Sequence, residues 1–448
     1  MTQSPAARRT GVLIFVLTLL VFLISPVWGL SDACFSMLVS ESIIHRHSTY
    51  LNAYRFPAPI RESVPCVSPA PPVPRDFVTY QLDRVNGNVV YCYPNGSSIL
   101  SIPFVAVMNL LGVYPYAPDG VYNHAGEAVI QRMLAALLMA GYSFLVFRMA
   151  LIVLSVTPAT VIALGTAFGT QVWSTASRAM WAHTWFIFLG GLIAYSLLKR
   201  ETGSKGFGPI MLATLLSWMF FVRPTGAIPI VCVSVYLFLY YRHEFIRYAV
   251  AGGAWFAGFV AYSRLTYGRS IPEYYLDSQL NPRGLATSLQ GILISPSRGL
   301  FVYVPVALFV LYLLIRYWKT VPHRRLATLA LAMTALQVFT IALWSRWWGG
   351  ASYGPRLLAD AVPWLALLAV LGCAARVDGA GALRFSRVEV ACAATLLALS
   401  IAINGRGAWS WETTVWNLEV DLDRHPERTF DWSYPQFIAG IVARPDRR

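Results

Sequence analysis

The sequence predicts an all-α polytopic membrane protein with about eleven transmembrane helices. Three observations carry that expectation. The 448 residues are 56% hydrophobic and only 12% charged, about half the ~25% charge of a soluble domain, and the mean hydropathy is +0.54. Apolar runs near the ~20 residues that a spanning helix needs recur along the chain. The 35 Lys and Arg outnumber the 21 Asp and Glu, for a net charge of +14, and they cluster between those runs. Cytoplasmic loops collect Lys and Arg, so the excess reads as topology and not as an affinity for nucleic acid.

The first span is expected at Gly11–Leu30, preceded by Arg8 and Arg9, which puts the N-terminus inside. Gly29-Leu30-Ser31 is a weak small-x-small pattern, so a cleaved signal peptide is the competing reading. Residues 31–126 follow as a long outer loop. It holds a Pro-rich stretch from Pro65 to Pro74 and one short apolar run, Ile99–Val113, interrupted by Pro103.

The remaining spans are expected at Ala128–Phe147, Leu151–Trp173, Met180–Leu198, Phe207–Val222, Ala227–Tyr241, Tyr248–Leu265, Leu300–Tyr317, Leu326–Trp344, Leu357–Ala375 and Val388–Ile403. If Ile99–Val113 crossed the bilayer, every later basic loop would fall outside. It is therefore assigned as a re-entrant or membrane-surface helix. The chain then divides into a first transmembrane helix (1–30), an outer loop with surface or re-entrant helices (31–126), a transmembrane bundle (127–403, with a second outer loop at 266–299) and an outer C-terminal tail (404–448). The N-terminus is cytoplasmic and the C-terminus outside.

Cys232, Cys373 and Cys392 lie in apparent spans and read as packing residues. Cys34, Cys66 and Cys92 lie in the first outer loop, where a Cys66–Cys92 disulfide is expected. No phosphate-binding Gly-rich loop, nucleophile elbow, H-E-x-x-H or zinc spacing occurs.

Candidate chemistry gathers where outer loops meet the membrane. Asp32 directly follows the first span, at the N-cap of an amphipathic pattern through Phe35, Leu38, Val39 and Ile43. It is a candidate base, against the alternative of an ordinary cap. Glu41 reads as a solvated helix face. Arg178 sits at a membrane boundary with His183 about one turn inside. Arg223 opens a very short turn, and Arg298 precedes a span. The segment from Trp344 to Arg356 packs Arg346, three tryptophans, three glycines, Tyr353 and Arg356 ahead of Asp360. Arginines there suit a phosphate bidentately, and the aromatic residues suit a sugar face or the headgroup belt. One carboxylate with several cations at one membrane level fits transfer of a group from a lipid phosphate. A transporter or flippase of a lipid-linked sugar or other anion, or a non-catalytic membrane assembly protein, would use the same arginines without a base.

An acidic residue directly after the first span, followed by a helix and an outer loop with surface helices, resembles the integral-membrane glycosyltransferases of the GT-C superfamily. Among them it is similar to bacterial members of the protein O-mannosyltransferase and aminoarabinose-transferase kind. The pieces that carry the resemblance are Ser31-Asp32 through Tyr54, Tyr93-Pro94-Asn95-Gly96, Trp181-Ala182-His183, Arg223-Pro224-Thr225, Ser295 to Gly299 and Gly349 to Arg356. The resemblance implies a GT-C-like fold in the bacterial inner membrane. It implies a polyprenyl-phosphate sugar as donor, a glycan, lipid or protein acceptor outside the cytoplasm, and inversion at the transferred sugar. Asp32 would be the base, with Arg178, His183, Arg223, Arg298, Arg346, Tyr353 and Arg356 binding substrate or phosphate. The paired acidic motif common in that family is missing, since Asp32 lies between Ser31 and Ala33. No metal site and no further cofactor is therefore expected.

Overall fold

The computed structural model describes residues 5–61, 79–276, 279–379 and 381–443. Helix dominates, because long apolar stretches in lipid must satisfy every backbone polar group internally. The first helix, α1 (Pro5–Ile24), precedes α2 (Ser36–Arg46) and α3 (Gly96–Leu110). The bundle follows with α4 (His124–Ala150), α5 (Val156–Phe168), α6 (Ala182–Glu201), α7 (Pro209–Val222), α8 (Ala227–Tyr240) and α9 (Arg242–Tyr267). A short α10 (Glu273–Leu276) and α11 (Leu285–Ile294) lead to α12 (Leu300–Tyr303), α13 (Val306–Tyr317), α14 (Arg324–Ala342), α15 (Val362–Ala374), α16 (Arg387–Trp409) and α17 (Glu412–Glu419).

Each expected span contains a helix. Among the described residues, six helices are long and apolar enough to cross a membrane: Pro5–Ile24, His124–Ala150, Ala182–Glu201, Arg324–Ala342, Arg356–Ala374 and Arg387–Trp409. Two boundaries differ from expectation for local reasons. The first helix ends at Ile24 and not Leu30, since Pro26 disfavours helical geometry at the residue before it. The run at Leu300–Tyr317 breaks between Tyr303 and Val306, where Pro305 cannot donate a backbone hydrogen bond. The apolar run at Ile99–Val113 forms α3, 15 residues with Pro103 inside. At 1.5 Å per residue it measures about 22 Å, slightly longer than α5, α7 and α8.

The segment between α1 and α4 is not purely helical. Strands β1 (Ile60–Arg61), β2 (Thr79–Val85) and β3 (Asn88–Tyr91) form a sheet in that order, with β2 and β3 antiparallel. Asn86 and Gly87 make the connection with φ of 51° and 78°, the left-handed pair a tight two-residue hairpin requires. Residues 62–78, which include Cys66 and the Pro-rich stretch, lie outside the described residues. Cys92 is disulfide-bonded.

Helix ends sort the charge. At one end of the bundle, Arg200 pairs with Glu244, the Tyr236 hydroxyl donates to Glu201, and the Tyr312 and Tyr317 hydroxyls donate to Glu389. At the other end, Arg178 donates to the Phe22 carbonyl at 2.5 Å and the Ser25 carbonyl at 3.0 Å, while Arg132 donates to the Leu23 carbonyl. Two arginines thus satisfy carbonyls that the terminus of α1 leaves unpaired. Glu127 of α4 reciprocates at the start of α2. It accepts from the Phe35 amide at 3.0 Å and the Met37 amide at 2.9 Å, holding Phe35 at a φ of 71°. The Asp32 segment is thereby suspended between two capped helix termini.

Replacing Glu127 by Gln sets an amide NH2 against one of those backbone donors. Thermal unfolding of the full chain in detergent is expected to show a loss of about 1–3 kcal/mol. An unchanged Tm would mean that this cap does not hold the α2 terminus.

Candidate functional site

Asp32 sits in the single 3₁₀ turn Ser31–Ala33 between α1 and α2, with its side chain 30% exposed. Its Oδ2 lies 2.9 Å from Nη1 of Arg356. Its Oδ1 accepts from the Tyr93 hydroxyl at 3.1 Å and the Tyr80 hydroxyl at 3.3 Å. The Tyr91 hydroxyl donates to its carbonyl at 2.6 Å, and the Gln81 amide donates to the Ser31 carbonyl. The hairpin therefore clasps the Asp32 turn from one side, with tyrosines on β2, on β3 and just beyond it.

Burial pushes the Asp32 carboxyl up, but the Arg356 guanidinium and the two tyrosine hydroxyls outweigh it and hold the group below its ordinary 3.8. Burial, reinforced by the Asp32 charge, raises the Tyr80 and Tyr93 hydroxyls, so both stay protonated donors. Arg356 stacks over the Trp181 ring at 4.4 Å and donates from Nη2 to the Gly349 carbonyl at 2.9 Å. Its buried Nε has no hydrogen-bond partner among the described residues.

A second cluster borders the first. Asp360 is fully buried and receives His183 Nδ1 at 2.7 Å, Arg223 Nε at 3.0 Å and the Thr225 hydroxyl at 2.8 Å. Arg223 Nη1 lies 3.3 Å from His183 Nε2. The imidazole thus accepts from arginine on one side and donates to carboxylate on the other, which fixes it as the neutral Nδ1–H tautomer. Tyr274 links the clusters. It packs against Tyr93 with ring centroids 5.4 Å apart, and it feels the charges of Arg223, Asp32, Arg356 and Asp360 together.

A cavity of about 280 Å³ opens at this junction, with Tyr93 and Tyr274 in its wall. Trp218, Phe221, Trp255 and Phe259 of α7 and α9 line its inner part. Gly258 also faces it, with open space where a Cβ would stand. Nine of the sixteen lining residues carry aromatic rings, so the cavity favours a largely apolar ligand.

The structure divides the expected site residues. Asp32 and Arg356 meet directly, and His183 and Arg223 meet on Asp360, which the sequence marked only as a charge within the next helix. Four others have different occupations. Arg178 spends its guanidinium on the Phe22 and Ser25 carbonyls and the Ser177 hydroxyl. Arg298 is 1% exposed and donates to the Trp348, Ser297 and Gly350 carbonyls, to Gln436 and to Asn417. Those contacts use all its N–H donors, leaving none for a phosphate. Arg346 lies 3.7 Å from Asp423 of the tail. The Tyr353 hydroxyl donates to the Ile403 carbonyl at 2.5 Å, and its ring is buried against Tyr303. Glu41, expected on a solvated face, is buried between Asn109 and His45. Among the described residues no group of three or more His, Cys, Asp and Glu side chains gathers as a metal-binding set.

Tyr80, Tyr91, Tyr93, Trp181 and Tyr274 are the site members that sequence reasoning missed as such. The signal for three of them was present. Asn86-Gly87 flanked by Tyr80-Gln81-Leu82 and Val89-Val90-Tyr91 is a strong hairpin pattern, and it carries tyrosines toward one another.

Because the folded-state value of Asp32 lies below 3.8, its ion pair contributes stability above that pH and loses it as pH falls through the lower folded value. Acid unfolding of the wild type in detergent is expected to show a steeper loss below about pH 4 than Asp32→Asn, which lacks the titrating group. Identical acid profiles would remove the ion pair from the site. The comparisons with known proteins place no family beside this geometry: no family model, no curated protein and no solved structure matches the chain.

Proposed function

We propose that the chain is a GT-C-like membrane glycosyltransferase that moves a sugar from a polyprenyl-phosphate donor to an acceptor hydroxyl outside the cytoplasm. The observation that carries the reading is the Asp32–Arg356 pair, whose carboxylate accepts from Tyr93, a residue in the wall of the aromatic-rich cavity. The polyprenyl chain occupies the cavity along Trp218, Trp255 and Phe259, and its phosphate emerges beside Tyr93 and Tyr274. There the phosphate competes with Asp32 for the Arg356 guanidinium. Losing that cation frees the carboxylate and returns its affinity for a proton toward the ordinary range.

The acceptor oxygen then attacks the anomeric carbon and gives its proton to Asp32. The bond from the anomeric carbon to the phosphate oxygen breaks, and the leaving phosphate takes the electron pair. Arg356, with Arg223 behind Tyr274, stabilises the charge that develops. Attack opposite the leaving group inverts the sugar. All eleven apolar helical segments serve as spans in this reading. The basic loops around Arg148, Lys199, Arg242, Arg324 and Arg384 face the cytoplasm of a bacterial inner membrane, and the Asp32 end faces outward.

Transfer is measured on the full chain in vesicles holding a labelled polyprenyl-phosphate sugar and a mixture of envelope acceptors. Asp32→Asn is expected to lower sugar release from the donor by about 10²–10⁴-fold, the span for a lost general base. A variant with wild-type turnover would overturn the assignment. Donor crossing the bilayer at the same rate in both proteins, with no sugar released, would identify a lipid flippase instead.

The cavity assignment has its own check. Gly258→Phe places a ring in the open space lining the cavity. It is expected to weaken binding of a long-chain polyprenyl phosphate while sparing an analogue with a chain of only a few carbons. Equal loss for both lipids would place the tail elsewhere.

A further inference from the structure

The C-terminal tail reaches the site without touching Asp32. After α16 the chain turns through α17 and brings Gln436 into the bundle, where it is fully buried. Both halves of its amide are saturated. Its Oε1 accepts from Arg298 Nη1 at 2.8 Å and from the Gly354 amide at 3.2 Å. Its Nε2 donates to the Ser352 carbonyl at 3.1 Å and the Thr413 carbonyl at 2.9 Å. Asn417 of α17 adds a second donor to the Ser352 carbonyl and accepts from Arg298 Nη2.

These contacts converge on the loop that ends in Arg356. Arg298 and the tail together hold the carbonyls of Trp348, Gly350 and Ser352 and the amide of Gly354. The loop needs such support. Gly349, Gly350 and Gly354 all take positive φ, at 71°, 65° and 56°, and glycine loses more conformational freedom on ordering than any other residue. Arg356 in turn donates to the Gly349 carbonyl, and its own amide donates to the Gly354 carbonyl. The position of the guanidinium is therefore set by a backbone path that the tail immobilises.

We propose that Gln436, acting with Arg298, is a positioning residue for Arg356: the docked tail fixes the 349–356 loop and so places the cation opposite Asp32. The consequence for a lipid phosphate rests on the function proposed above, whereas the placement itself does not.

Trp181 reports on that placement, since the Arg356 guanidinium lies over its ring. The full chain in nanodiscs is labelled with 5-fluorotryptophan, and Trp181→Phe assigns the Trp181 fluorine resonance. Arg356→Gln then defines the resonance of a Trp181 without its cation. Gln436→Leu is expected to move the Trp181 signal toward that position, and to weaken binding of a polyprenyl phosphate in phosphatidylcholine nanodiscs by about tenfold, the equivalent of ~1.4 kcal/mol. Gln436→Glu keeps the acceptor for Arg298 and Gly354 but donates only when protonated. At neutral pH it is expected to move the Trp181 signal in the same direction as Gln436→Leu. Should Gln436→Leu fail to fold, Asn417→Ala removes one contact to Arg298 and one to Ser352 and is expected to shift the signal in the same direction.

A folded Gln436→Leu or Asn417→Ala protein with the wild-type Trp181 signal would overturn the proposal. Polyprenyl phosphate binding that is unaffected by Arg356→Gln would overturn the functional reading instead, and leave the Trp181 result to decide the positioning.

Discussion

The ion pair between Asp32 and Arg356 joins residues 324 positions apart in sequence, and one end of the bundle is organised around it. Neither partner is free to wander. Asp32 is confined by the capped ends of α1 and α2 and by tyrosines from the hairpin. Arg356 is confined by the Trp181 face and by a glycine-rich loop tied to the tail. A partly buried ion pair gains little unless its remaining donors and acceptors are also engaged, and here the surrounding hydroxyls and carbonyls supply most of those partners. The Nε of Arg356 stays buried without a hydrogen-bond partner among the described residues, and Asp32 keeps 30% of its side chain exposed.

Beside it, the His183–Asp360–Arg223 cluster follows a different economy. Asp360 is fully buried and balanced by Arg223, with a neutral imidazole bridging the two. Such a closed set tolerates a low dielectric because each charge meets its partner at hydrogen-bond distance. Its position against Tyr274 puts a second guanidinium within electrostatic reach of the first cluster. The aromatic-rich cavity adds an apolar volume, joined to the charged clusters through Tyr93 and Tyr274.

The arginines show why residue type and membrane level are insufficient to assign a role. Arg178, Arg223, Arg298, Arg346 and Arg356 all sit at connections between apolar segments and look alike in sequence. Bundle packing sends Arg178 to the carbonyls of a helix terminus and Arg298 to the carbonyls of a loop, where each replaces water that a buried backbone cannot reach. Arg356 keeps its guanidinium on the Asp32 carboxylate, which Tyr93 joins to the cavity wall. The number of backbone acceptors within reach separates the structural arginines from the candidate ligand, and that number exists only after distant segments meet.

Hydropathy and charge spacing determined by themselves that this chain is a helical membrane protein, where its helices lie and at which junctions charge gathers, because lipid solvation acts locally on runs of residues. The same local logic placed Asp32 after the first helix and marked Ile99–Val113 as a short apolar helix interrupted by Pro103. The Asn86-Gly87 hairpin was also legible, since its turn chemistry is local, and with it three of the tyrosines around Asp32. Tertiary structure alone decided that Arg356 and not Arg298 faces Asp32, that Asp360 gathers His183 and Arg223, and that Gln436 of the tail underpins the loop between them. Those are contacts between residues tens to hundreds of positions apart, fixed by which buried donors and acceptors find partners once the helices pack, and no window of sequence contains that information.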